Sequence, residues 1–348
     1  MKVSIIGNGF SKDAGQGVNK CCGYLYEGLE NSEDFTVEKI KLSESEKPLD
    51  MIKSSTLDVF RKTLFKKSDL YHFMIPVMAA PCIIKSPSIV TVYDVIPLIL
   101  KNERKKSFNL YFKLMIGFVK RATHIIAISK STKEDLIKYL GIDEDKITII
   151  YPGVDHDIFY PTHEKKNETF TVGFLGGLVK RKNAKILLDV AEILKNDNII
   201  FKIGGKGLGF DELVIEKEKR GLDNVEFLGF IPDKDLNDFY NSLNVFVAPT
   251  IYDGFCMPGL EAMATGRPVI LGNTSALKEV AGNAGIKVDP QSAEDIAVEI
   301  RKMYESKELQ AELSALSFVH ANKFSWERNL KETIELYRRI LNETNKTN

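Results

Sequence analysis

Short apolar runs of the kind that form buried strands alternate with longer helical patterns along the whole 348-residue chain. "KVSIIG", "DLYHFMI", "SIVTVYD", "HIIAIS" and "ITIIYPG" fill the first half; "FTVGFLG", "IIFKIGG", "NVEFLGF", "VFVAPT", "RPVILGN" and "GIKVD" fill the second. Runs this short and continuously apolar suit strands covered on both faces of a parallel sheet. Between them stand patterns such as "KSTKEDLIKYLG", where Ser131 or Thr132 is the expected N-cap and a glycine the stop. The alternation predicts doubly wound α/β sheets, and the length predicts two of them. The polar stretch 161–170, "PTHEKKNETF", is the expected linker. The expected organisation is a Rossmann-like domain over 1–160 and a second over 161–325, facing each other across a cleft. A helix over 326–348 returns toward the first.

Composition closes off other classes. Lys and Arg balance Asp and Glu at 48 each, so nothing global points to nucleic acid. Cys21, Cys22, Cys82 and Cys256 form no CxxC pair and no Cys/His cluster, which argues against a zinc site or disulfide framework. The first apolar run is too short for a signal peptide, and no stretch approaches a membrane span. A cytoplasmic protein is expected.

Ligands of open parallel sheets bind at the carboxyl ends of the strands, and three loops there carry chemistry. In "VFVAPTIYDGFCMPGLEAMATGRPV" a buried strand leads into Asp253; Pro258 suits the first turn of a helix, Glu261 lies within it, and Gly266 ends it. The amides of Phe255, Cys256 and Met257, after Gly254, would then face the ligand. Two carboxylates several Å apart suit two hydroxyl-bearing groups of one extended ligand; an acidic helix start with a solvated Glu261 gives the same pattern. "FLGGLVKRKN" places Lys180, Arg181 and Lys182 after a strand that ends near Gly176, where a guanidinium and an ammonium can neutralise a diphosphate. "IGGKGLGFDEL" adds Gly205 and Lys206, which cradle a ligand or merely close a turn.

The first half is less explicit. "IGNGFSKDAGQGVNK" holds Gly15 and Gly17 after the first strand, yet no G-x-G-x-x-G series is completed, which argues against a dinucleotide-binding dehydrogenase. "TVYDVIPL" brings Tyr93 and Asp94 to the end of a strand, as ligand groups or, for Tyr93, as a packing aromatic.

These segments resemble the retaining glycosyltransferases of family 4, which have the GT-B fold. "YDGFCMPGLEAMATGRPV" is similar to the family's E-G-F-G-x-P-x-L-E-A-M-A-x-G-x-P-V segment, "FLGGLVKRKN" to its diphosphate loop and "YPGVDHDIF" to its interdomain linker. Three departures stand out: Asp253 replaces a glutamate, Gly177 replaces an arginine, and Tyr93 replaces a histidine. The resemblance implies transfer of a hexose-type sugar from a UDP- or GDP-sugar to a glycan, lipid-linked or small-molecule acceptor. Glu261 would meet the ribose, Asp253 the donor sugar, and Arg181 and Lys182 the diphosphate. Gly15, Gly17, Tyr93 and Asp94 would serve the acceptor. No cofactor and no metal are expected, since no Asp-x-Asp motif stands at the site. A sugar-nucleotide epimerase and a non-catalytic sugar-nucleotide binder remain as rival readings. Residues 99–133 hold nine Lys or Arg against Glu103, around the apolar pattern "FNLYFKLMIGFV". That predicts a helix able to lie on an anionic membrane surface, or else a core helix with a basic rim.

Overall fold

The computed structural model describes residues 1–10, 17–42, 52–101, 103, 105–162, 169–207 and 209–347. The chain forms two compact units, Met1–Gly153 with Trp326–Asn348, and Val154–Ser325. Most of the expected linker, residues 163–168, lies outside the described residues.

In the first unit six parallel strands, β1 (Lys2–Gly7), β2 (Thr36–Lys41), β3 (Leu70–Phe73), β4 (Ser88–Val92), β5 (His124–Ala127) and β6 (Ile147–Ile149), pair in the order β2-β1-β3-β4-β5-β6. β3, β4 and β5 are buried at every position, the reason their sequences are uninterrupted apolar runs. β2 escaped the sequence reading because it is an edge strand: in "TVEKIK" only Ile40 is fully buried. On one face Cys22, Leu25 and Leu29 of helix Gly17–Glu30 pack with Leu336, Tyr337, Ile340 and Leu341 of the C-terminal helix Trp326–Thr347. Each such aliphatic burial contributes about 1.5–3 kcal/mol. His72 ties this face to the sheet, with Nδ1 2.6 Å from the Tyr337 hydroxyl and Nε2 2.7 Å from Thr91 Oγ1. Complete burial pushes its pKa down to about 3.

The opposite face corrects one expectation and places the basic segment. The helix after β5 starts at Lys130 and is capped by Ser129, whose Oγ accepts from the Thr132 amide at 3.0 Å, so neither Ser131 nor Thr132 is the cap. Ser129 wins because it is the residue still in extended conformation as the chain leaves the strand. Within 99–133 the helix Lys106–Ile116 buries Phe112, Met115 and Ile116 in the core, so the broad apolar face covers the sheet. What it presents outward is a narrow ridge of Leu110 and Leu114, 61% and 65% exposed, beside exposed Lys106 and Lys113.

In the second unit β7 (Phe170–Leu175), β8 (Ile199–Gly204), β9 (Val225–Gly229), β10 (Val245–Ala248), β11 (Val269–Gly272) and β12 (Ile286–Val288) form a parallel sheet in the order β12-β11-β10-β7-β8-β9. Helices Ile186–Ile193 and Ala293–Glu305 pack on one face around Leu187, Val190, Ile296 and Ile300. The two sheets therefore do not share one plan. Strand order reverses between β7 and β10 here and between β1 and β3 in the first unit. Such reversals open the crevice where open α/β sheets bind ligands.

Candidate functional site

Two loops meet at the β7/β10 reversal, and their backbones are locked together. After β7 the chain makes a single 3-10 turn, Lys180–Lys182, which Asn183 ends in the left-handed conformation at φ 54°. The Ile251 amide, just past β10, donates to the Arg181 carbonyl at 2.8 Å, and the Asn183 side-chain amide donates to the Pro290 carbonyl at 2.6 Å. These bonds set the side chains of Arg181 and Lys182 over the β10 loop.

There the two cations clasp Asp253. Arg181 Nη1 donates to Oδ1 at 3.0 Å and to the Tyr252 carbonyl at 3.1 Å; Lys182 Nζ donates to Oδ2 at 2.5 Å. All three side chains are less than one-fifth exposed, so water screens the pairs weakly. The Asp253 amide donates to Ser275 Oγ at 3.0 Å, which fixes the acid from the backbone side as well. Two cations and one anion leave the cluster with one net positive charge, and each carboxylate oxygen retains acceptor capacity beyond its one cation.

Glu261 sits on helix Met257–Ala264, whose first turn holds Pro258 and whose residues from Gly259 to Ala264 are all buried. Gly266 follows with φ 70°. Glu261 is 8% exposed, which removes the reading of a solvated helix acid. Its Oε2 accepts from the hydroxyl of Tyr240 at 2.7 Å. Sequence reasoning passed over Tyr240, which sits in the unremarkable helix Leu236–Asn241 and whose partner is twenty-one residues away.

The three expected amides are not equivalent. Met257 donates to the Phe255 carbonyl at 3.2 Å across Cys256, whose φ −91° and ψ 75° make an inverse γ-turn. The Met257 amide is therefore used inside the loop, a correction to its expected place in a ligand cradle. Burial pushes the Cys256 thiol up to about 11, with neighbouring Lys182 opposing, so it stays a neutral packing group. Gly254 and Phe255, where the chain enters this turn, are buried.

The glycine loop after β8 closes against the β7 loop. Gly205 adopts φ 126°, and a Cβ there would lie 1.8 Å from the Gly176 carbonyl oxygen. No side chain fits at 205, so this glycine serves the close approach of two backbones. Gly177 is different: a Cβ there meets nothing nearer than 3.9 Å. Lys206 lies over the ring of Phe230, 5.6 Å from its centroid, and that ring is 57% exposed just past β9. Phe230 is a second residue the sequence reading missed; an exposed aromatic at a strand's carboxyl end was its available signal.

The first unit brings together less. Asp94 Oδ1 accepts from the Ile96 amide at 3.0 Å and so closes a turn after β4. The Tyr93 hydroxyl, open in the sequence to a ligand role or to a packing one, is buried beside the thiols of Cys21 and Cys22. Burial raises its pKa well above the ordinary value and likewise pushes up Cys21, to about 12. Gly17 opens helix Gly17–Glu30 and is exposed, with open space around its Cα; Gly15 lies outside the described residues. Among the described residues no group of three His, Cys, Asp or Glu is placed to hold a metal ion, and no helix is long and apolar enough to cross a membrane.

Two family models match the chain: glycosyl transferases group 1 over residues 156–318 and Glycosyltransferase Family 4 over 51–158. Among curated relatives, the O-antigen chain mannosyltransferase B of Escherichia coli is 31% identical over 47% of this chain and 45% of its own length. An uncharacterized glycosyltransferase of Methanocaldococcus jannaschii is 30% identical over 62% of this chain and 59% of its own. The matched stretches thus span roughly half of these relatives. Among solved structures, the sucrose-phosphate synthase of Thermosynechococcus elongatus superposes with a TM-score of 0.84 at 18% identity, over 98% of this chain and 99% of that one. Anabaena HepE in complex with UDP and glucose gives 0.76 at 17% identity, over 97% and 100%.

Proposed function

As the chain belongs to the group 1, family 4 glycosyltransferases with the two-domain Rossmann-like GT-B fold, we propose that it transfers a hexose from a nucleoside-diphosphate sugar with retention of configuration. One observation carries the reading: the Asp253–Arg181–Lys182 cluster stands at the strand-order reversal of the second unit, with Glu261 on the helix that follows.

Arg181 and Lys182 neutralise the diphosphate, Arg181 doing the work of the guanidinium that Gly177 lacks. Asp253 fixes the two cations and offers its remaining lone pairs to donor-sugar hydroxyls. Glu261 accepts from the ribose hydroxyls, and the exposed face of Phe230 stacks on the base. As the glycosidic C–O bond breaks, negative charge grows on the departing phosphate oxygen, where fixed cations favour the transition state over the ground state. The acceptor hydroxyl adds to the face the phosphate leaves and passes its proton to a phosphate oxygen. No protein nucleophile is required, in keeping with the neutral Cys256 thiol. The O-antigen chain mannosyltransferase among the relatives favours a mannose or other hexose donor and a glycan acceptor. For a lipid-linked acceptor, the Leu110–Leu114 ridge with Lys106 and Lys113 is the membrane-facing element.

The test is a thermal-shift panel of UDP-, GDP- and ADP-sugars, since a ligand that binds only the folded state raises the melting temperature. Product analysis with the stabilising donor follows. Transfer supports the reading; interconversion of the sugar nucleotide would favour an epimerase, and stabilisation without turnover a binding protein.

A further inference from the structure

We propose that Tyr240 is a positioning residue that holds the Glu261 carboxylate in the orientation needed to recognise ribose hydroxyls. This rests on the reading of Glu261 as the ribose acceptor and goes further, naming the group that gives that acceptor its precision.

The geometry is specific. Tyr240 is fully buried, and its ring lies against Phe159, Phe239 and Phe246 at centroid distances of 5.9, 5.4 and 5.7 Å. A ring held on several sides by others has one place to put its hydroxyl, and that place is 2.7 Å from Glu261 Oε2. Glu261 has three rotatable side-chain bonds, and a donor fixed in place narrows the rotamers open to them. The phenol engages Oε2, one of about four acceptor positions of the carboxylate. The phenol suits the task because it remains a donor at every ordinary pH: burial raises its pKa well above the usual value, and the Glu261 charge raises it further.

Tyr240 also links two elements that frame the site. It lies on helix Leu236–Asn241, which leads into β10, while Glu261 lies on the helix that leaves the β10 loop. The hydroxyl is therefore a strut across the strand that carries Asp253 at its end. A mere filler of the same volume would be phenylalanine, like its neighbours Phe239 and Phe246.

The experiment compares Tyr240→Phe with the parent protein, measuring by calorimetry the affinity for UDP, GDP or ADP, whichever binds the parent best, and for its 2′,3′-dideoxy counterpart. In the parent, removing the ribose hydroxyls should weaken binding about tenfold, the size expected for a hydrogen bond to a charged group. In Tyr240→Phe that preference should fall to about threefold or less, while the dideoxy ligand binds both proteins alike. Adding Glu261→Gln to Tyr240→Phe should then cost little further ribose preference. If Tyr240→Phe keeps the full preference, or weakens both ligands equally, the residue is only structural and the proposal is wrong. A parent protein indifferent to the ribose hydroxyls would instead overturn the Glu261 reading, and the positioning role with it.

Discussion

Among the described residues, the strand-order reversal of the second unit carries a charge cluster and that of the first shows none. Between β7 and β10 stand Arg181, Lys182 and Asp253, joined by hydrogen bonds of 2.5–3.1 Å and tied to the Tyr252 backbone. Beside β1 and β3 the described residues offer the open start of helix Gly17–Glu30, and one strand further on lie the turn-closing Asp94 and the buried Tyr93 hydroxyl. Under the proposed function, the difference has a physical reason. A diphosphate leaving group presents the same charge in every turnover, so a fixed cluster of cations suits it. An acceptor hydroxyl is neutral and asks for shape more than for charge.

The comparison breaks first on mutation. Asp253→Asn and Glu261→Gln should each lower the transfer rate by about tenfold to a hundredfold, because a charged hydrogen bond contributes roughly 1.5–3 kcal/mol and 1.36 kcal/mol is tenfold in rate. Tyr93→Phe, on the weakly armed side, should stay within about threefold of the parent. Initial rates at saturating donor, with melting temperatures as the folding control, decide it; a larger loss at Tyr93 than at Glu261 reverses the contrast.

Arg181→Ala should weaken the nucleoside diphosphate about tenfold and leave the nucleoside nearly unchanged, since a guanidinium bonded to phosphate is a charge-assisted contact the nucleoside never makes. Equal weakening of both ligands, read by calorimetry, would show that Arg181 acts only through the loop it braces.

The first unit should also lose stability in acid. His72 is neutral in the fold, its pKa of about 3 lying well below the unfolded value near 6.5. Between these pH values the unfolded chain binds a proton that the folded chain refuses. Stability from this site is thus complete above about pH 6.5 and is lost as pH falls toward 3, by up to ~1.4 kcal/mol per pH unit. Trp326, the chain's single tryptophan, stacks on Tyr24 at 4.4 Å within the same unit, so its fluorescence reports this unit's unfolding. Urea titrations at pH 7 and pH 5 should show the loss, and His72→Gln should reduce it, leaving the share of His124, whose pKa burial lowers to about 4 in the same unit. An unchanged pH slope in that variant would place the titrating group elsewhere.

The smallest effect sharpens the picture at the surface of the first unit. If the Leu110–Leu114 ridge meets anionic lipid, Lys113→Ala should reduce co-sedimentation with anionic vesicles about fivefold, the equivalent of the ~1 kcal/mol a basic residue contributes near such a surface. Parent protein that fails to sediment even at low salt would assign the ridge to a soluble surface.

Much of this was written locally in the chain. The eleven apolar runs read as strands all became strands, because burial on both faces demands continuous apolar sequence. Asp253, Glu261, Arg181 and Lys182 were legible because a proline at a helix start, glycines at its ends and charges just past a strand are local signals. The edge strand β2, with Ile40 alone fully buried, had no such signal, and at the Lys130–Leu140 helix three cap residues, Ser129, Ser131 and Thr132, compete locally. Two kinds of fact needed the tertiary structure. Strand order is one: both halves alternate alike, yet one sheet reverses at β1/β3 and the other at β7/β10, since order follows from which helices cover which faces. Side-chain partnership is the other. Seventy-one residues separate Lys182 from Asp253 and twenty-one separate Tyr240 from Glu261. The sequence supplied the acids and cations with their loops; only folding brought each acid to its donors, because hydrogen bonds act over ångströms and not along the chain.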